Sequence, residues 1–96
     1  IIILNNRFLG MVRQWQQLFF EKRYSFTEMI SPDFVALSKA YSIDAKKVEA
    51  REDLKTSLLE MLNHQGSYLL EVMVAKEENV FPMITTGASV SEIRLN

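Results

Sequence analysis

Two adjacent carboxamides, Asn5 and Asn6, stand directly after four apolar residues, Ile1-Ile2-Ile3-Leu4. Such a run reads as a buried parallel strand, hydrophobic on both faces. Polar groups at the carboxyl end of that strand stand where open α/β sheets bind ligands. A carboxamide oxygen can serve a hard cation without adding negative charge. The same pair can also simply turn the chain, because Asn tolerates left-handed backbone; on pattern alone the turn is the reading to prefer. Other reactive residue types are sparse. His64 is the only His and has no companion at catalytic or metal spacing. Glu77-Glu78 reads as a solvated pair, and Arg13 and Gln14 read as pointing to solvent. Trp15, the only Trp, falls at helical spacing with Val12 and Phe19, which by composition alone means core.

The elements that must position these residues follow from periodicity. Phe8, Met11, Val12, Trp15, Leu18 and Phe19 predict a helix over 9–22. Residues 22–30 show no clean period and read as a loop. Ser31-Pro32-Asp33 predicts a helix start, with Ser31 as N-cap and Pro32 at the first helical position. That helix is expected to bury Phe34, Leu37, Ala40 and Tyr41. Residues 45–49 are a weak strand candidate, short and charged. Leu54, Leu58, Met61 and Leu62 mark one face of a helix over 52–63, stopped by Gln65-Gly66. Residues 68–74, Tyr-Leu-Leu-Glu-Val-Met-Val, read as a second strong strand. The stretch from Lys76 suits an extended tail. Strands alternating with helices predict an α/β fold with a mostly parallel sheet.

Composition bounds the function. The 96 residues suit one small domain with a marginal core. A formal net charge of -1 gives no electrostatic reason to expect nucleic acid or an acidic membrane surface. The absence of Cys excludes disulfides and thiolate metal sites. No apolar run approaches the ~18 residues that span a bilayer. The chain opens on a strand without Met, leader or helix cap, and is read as the tail of a larger protein.

Four blocks of sequence carry a family resemblance. Leu4-Asn5-Asn6 resembles the closing Asn-Asn of the thiamine diphosphate motif, whose opening Gly-Asp-Gly is expected upstream. Gly10-Met11-Val12-Arg13-Gln14-Trp15-Gln16 with Leu18-Phe19 resembles the catalytic large subunit of acetohydroxyacid (acetolactate) synthase. So do Ser31-Pro32-Asp33-Phe34-Val35 with Leu37, and Glu78-Asn79-Val80-Phe81-Pro82-Met83 with Gly87-Ala88-Ser89. The similarity runs in order over essentially the whole chain.

The resemblance implies the C-terminal portion of a three-layer αβα thiamine diphosphate-binding domain, with 76–96 as a C-terminal arm folding over the active site. It implies an enzyme that decarboxylates pyruvate and joins the product to a second pyruvate or to 2-ketobutyrate, in branched-chain amino-acid synthesis. Asn6 through its side-chain oxygen and Phe8 through its carbonyl are the implied Mg²⁺ ligands, with an upstream Asp as the third. Asn6, Gly10 and Met11 are the implied cofactor contacts; Met11, Val12 and Trp15 would line the substrate and inhibitor channel. FAD would bind in a domain outside this chain. A homo-oligomer, a regulatory small subunit and, for a bacterial member, a cytoplasmic location are the further expectations. The alternatives are a related thiamine diphosphate oxidase or decarboxylase, and a non-enzymatic self-associating α/β module.

Overall fold

A computed structural model describes all residues 1–96. Three strands, β1 (Ile2–Asn5), β2 (Asp44–Val48) and β3 (Tyr68–Met73), form one parallel sheet in the order β1-β3-β2. The helices are α1 (Gly10–Phe19), α2 (Phe34–Ala40) and α3 (Leu54–Asn63), the last entered through a 3₁₀ turn at Arg51–Asp53. Because β1 and β2 flank β3, the crossover from β1 to β2 and that from β2 to β3 run in opposite directions. Right-handed connections then place α2 and α3 on opposite faces, giving the expected three-layer α/β arrangement.

The central strand is the one buried on both faces. Tyr68, Leu69, Leu70, Glu71 and Val72 are all buried, with Leu70 fully so. On one face Val48, Tyr68, Leu70 and Val72 form a cluster against Leu54, Leu58 and Met61 of α3. Ile1–Leu4 do not behave as expected. β1 is an edge strand with a single neighbour, and Ile2 and Leu4 are 52% and 70% exposed. They lie on the α3 face, but α3 packs over β2 and β3.

Local departures have local causes. α1 stops three residues before the expected end because Glu21 and Lys22 both adopt left-handed backbone, at φ 52 and φ 58. The N-cap of α2 is Asp33 rather than Ser31; its Oδ1 accepts from the Ala36 N–H at 2.9 Å. The buried position of α2 is the small Ser38, while Leu37, Ala40 and Tyr41 are exposed. In α3 the apolar stripe leans toward Ser57, which is fully buried, and leaves Leu62 72% exposed. Residues 44–48 form a true strand, whose Lys46 pairs with Glu60 at 2.6 Å. That contact holds the Glu60 carboxyl below its ordinary range, aided by the Tyr68 hydroxyl.

The chain is elongated, with a radius of gyration of 17.2 Å, against about 13 Å for a compact domain of this size. The reason is α1, which packs little on the sheet and is held instead by polar contacts. Here Arg13 and Gln14 reverse the expectation of solvent exposure: they are 5% and 2% exposed. The Gln14 carboxamide accepts from the Val80 N–H at 2.8 Å and donates to the Val80 carbonyl at 3.1 Å. The Arg13 guanidinium bonds both carboxylate oxygens of Glu77, at 2.8 and 3.2 Å, and the Lys76 carbonyl. It also lies between the rings of Phe8 and Tyr24, 4.9 and 4.2 Å from their centroids. Glu77 and Glu78 are both exposed, as expected, and Glu77 is in addition an ion-pair partner. Residues 76–96 contain no helix or strand, and Met83 and Arg94 exchange backbone hydrogen bonds across them.

Two predictions follow from this packing. The buried Ser57 hydroxyl has no hydrogen-bond partner, so Ser57→Ala should stabilise the protein by about 1 kcal/mol, read as a higher urea midpoint at unchanged slope; a lower midpoint would contradict it. Gln14→Ala should raise amide hydrogen exchange across 76–84 by roughly 10-fold without affecting β3. Unchanged protection there would show that the arm is held by other contacts.

Candidate functional site

The candidate site is the turn between β1 and α1, and its shape comes from two consecutive side-chain-to-backbone bonds. Asn5 Oδ1 accepts from the Arg7 N–H at 2.8 Å, and Asn6 Oδ1 accepts from the Phe8 N–H at 2.9 Å. Both are the short-range turns that Asn favours. Arg7 is left-handed, with φ 60. The turn is braced from outside by the 27–29 segment, through Leu9 N–H to Thr27 O at 2.8 Å and Met29 N–H to Arg7 O at 2.7 Å.

This bracing leaves one carbonyl open. The Arg7 carbonyl is taken by Met29 and the Leu9 carbonyl by the Arg13 N–H, whereas the Phe8 carbonyl between them has no donor in the chain. Asn6 Oδ1 keeps a second lone pair beside its one bond. Two neutral oxygens on one turn suit a hard cation that takes few protein ligands and completes its shell with phosphate oxygens or water. No cluster of three acidic, His or Cys side chains exists to hold a metal by charge.

Gly10 opens α1, and a Cβ there would stand 3.1 Å from the Asn6 side-chain nitrogen. What approaches Gly10 is therefore the Asn6 carboxamide, folded over the start of the helix. The first helical N–H groups, on Gly10, Met11 and Val12, have no acceptor, and Leu9 offers no side-chain cap. Uncapped N–H groups at a helix start favour an anion.

α1 turns its apolar side outward. Met11, Val12, Trp15 and Phe19 share one face and are between 43% and 51% exposed. Trp15 meets Phe19 edge to face at 6.4 Å. Met11, Val12 and Trp15 are thus brought together on one exposed wall that starts at the turn, and the composition-based reading of Trp15 as core does not hold. His64 lies apart from the site, against Tyr68 and 3.6 Å from Asp44.

One pairing in this region went unread in the sequence, that of Asn5 with Glu71. Asn5 is buried, and its Nδ2 donates at 2.7 Å to Oε1 of Glu71, itself only 5% exposed. The available signal was Glu71 itself, a lone charge inside the apolar run 68–74. Both residues border a cavity of about 430 Å³, walled also by Arg7 and Lys47. Lys47 is held by Glu49 at 2.8 Å, which raises the Lys47 ammonium and lowers the Glu49 carboxyl relative to their ordinary values.

Comparison with known proteins identifies the family. Residues 1–72 match the family described as thiamine pyrophosphate enzyme, C-terminal TPP binding domain. The chain is 47% identical over 96 residues to the mitochondrial acetolactate synthase of Schizosaccharomyces pombe, covering 100% of this chain and 14% of that protein. It is 46% identical over 94 residues to the acetolactate synthase isozyme 2 large subunit of Escherichia coli, covering 97% of this chain and 17% of that one. The mitochondrial acetolactate synthase catalytic subunit of Saccharomyces cerevisiae is 44% identical over 92 residues, 13% of its length. The chain thus spans about a seventh of the length of these curated relatives. With the family match extending over β1, the turn, all three helices and nearly all of β3, this chain belongs to the thiamine pyrophosphate enzymes, in their C-terminal cofactor-binding domain.

Proposed function

We propose that this chain holds the diphosphate end of thiamine diphosphate within an acetolactate synthase. The observation that carries the reading is the pair of available oxygens, on Asn6 and Phe8, beside an uncapped helix start. Identity of 47% across the whole chain to a protein named acetolactate synthase favours that enzyme over other members of the family.

In this reading Asn6 Oδ1 and the Phe8 carbonyl bind Mg²⁺, with an acidic ligand from outside the chain. The free N–H groups of Gly10, Met11 and Val12 receive phosphate oxygens, and Gly10 leaves room for the Asn6 amide. When bound, thiamine diphosphate supplies the carbon nucleophile and electron sink needed to decarboxylate pyruvate. Met11, Val12 and Trp15 form an apolar wall that excludes water from the reacting carbon and receives the second 2-keto acid. The arm, residues 76–96, is fastened at Glu77 and Val80 by Arg13 and Gln14, on the side of α1 turned away from this wall. FAD, a homo-oligomeric assembly, a regulatory small subunit, a role in branched-chain amino-acid synthesis and a cytoplasmic location in a bacterial host complete the proposal.

The 96-residue chain alone lacks the acidic ligand and should form no acetolactate from pyruvate. The whole enzyme carrying it should do so with thiamine diphosphate and MgCl₂. Acetaldehyde or acetyl phosphate as the product would assign it to another branch of the family. In the whole enzyme, Trp15→Leu should lower the preference for 2-ketobutyrate over pyruvate by roughly 10-fold, the scale of one methylene contact. An unchanged product ratio in a competition assay would remove Trp15 from the substrate wall.

A further inference from the structure

We propose that Glu71 is a positioning residue for the cofactor-holding turn, acting through Asn5. The inference rests on the function proposed above and deepens it, by naming the group that sets the orientation of the turn. Glu71 is the one charged residue of β3 and sits in the middle of the sheet at 5% exposure. A carboxylate in that place costs several kcal/mol unless it is well bonded, and an apolar side chain would serve packing better.

Its only side-chain hydrogen bond is the one from Asn5 Nδ2, at 2.7 Å. Lys47, which also borders the cavity, is paired with Glu49 instead. The two ends of a carboxamide have nearly the same shape, so its orientation is chosen by the polarity of its partners. A carboxylate accepts and does not donate, so Glu71 draws the nitrogen end of Asn5 toward itself. The oxygen end is left for the Arg7 N–H at 2.8 Å. That bond offsets the left-handed backbone at Arg7, which costs about 1–2 kcal/mol in a non-glycine residue. From this turn follow the Asn6 bond to Phe8 and the open Phe8 carbonyl. Glu71 touches neither candidate ligand and fixes both.

The test exchanges the polarity of the pair in the whole enzyme without changing its shape. Asn5→Asp alone sets two acceptors against each other. Asn5→Asp with Glu71→Gln restores one donor and one acceptor and returns the charge of the unaltered pair. Thiamine diphosphate binding is measured by calorimetry across a series of MgCl₂ concentrations, with apo-enzyme melting as the fold control. Simple charge attraction predicts that the single substitution tightens cation binding. Positioning predicts the reverse: cofactor binding weaker by about 10-fold and a higher MgCl₂ midpoint. The double substitution should then return both to within about 3-fold of the unaltered enzyme. Binding by the single variant as tight as the unaltered enzyme, or a double variant as weak as the single, overturns the proposal. Should the single variant not fold, the double variant decides: near-normal binding supports the proposal and weak binding overturns it. Failure of the unaltered enzyme to bind the cofactor overturns instead the function on which the inference rests.

Discussion

Both edge strands hydrogen-bond to β3 and to no other strand, so the register of that one strand decides where every polar group at the rim stands. Ile3 and Lys47 pair with Glu71 from the two sides, and Asn5 pairs with Met73. Neighbours in a parallel sheet project to the same face, which brings Asn5, Glu71 and Lys47 to one cavity. A slip of one residue would send Glu71 into the apolar cluster with Val48, Leu54 and Leu58 and turn Leu70 away from it. The burial that holds the sheet together and the hydrogen bond that orients Asn5 are therefore enforced by the same register.

α1 follows a different logic. In most surface helices the apolar stripe faces the protein and the polar side faces water. Here the buried residues are Arg13 and Gln14, and the exposed face carries Met11, Val12, Trp15 and Phe19. The helix is held by directional bonds rather than by area: Gln14 to Val80, Arg13 to Glu77, and Gln16 to Ser25 and Thr27. Each is worth about 0.5–1.5 kcal/mol, with charged ones somewhat more. Leaving either buried group without its partner costs more than the bond itself supplies.

The sequence disclosed the parts of this arrangement that depend on local pattern. The alternation of strands and helices, the strong strand at 68–73 and the turn after Leu4 were all legible, because periodicity and Asn chemistry act over a few residues. Three features were not. The exposure of Ile2 and Leu4 depends on strand order, and an apolar run looks the same at an edge as in the centre. The inward turn of Arg13 and Gln14 depends on partners more than 60 residues away. The shift of the α2 cap to Asp33 was a choice between two good caps two residues apart, settled by which oxygen reached the Ala36 N–H. For the candidate site, Asn6, Phe8 and Gly10 were named from a resemblance, whereas the pairing of Asn5 with Glu71 required the register.

The two modes of attachment meet at Phe8. Its carbonyl is the open oxygen of the turn, and its ring lies 4.9 Å from the Arg13 guanidinium, which in turn grips Glu77 of the arm. Backbone and side chain of one residue thus join a turn fixed by the sheet to a helix fixed by the arm. The sheet side is backed by buried apolar area and is stiff. The α1 side rests on a handful of polar bonds and so belongs to the low end of local stability. A ligand that engages the Phe8 carbonyl and the free N–H groups of α1 together would bridge the stiff part to the soft one.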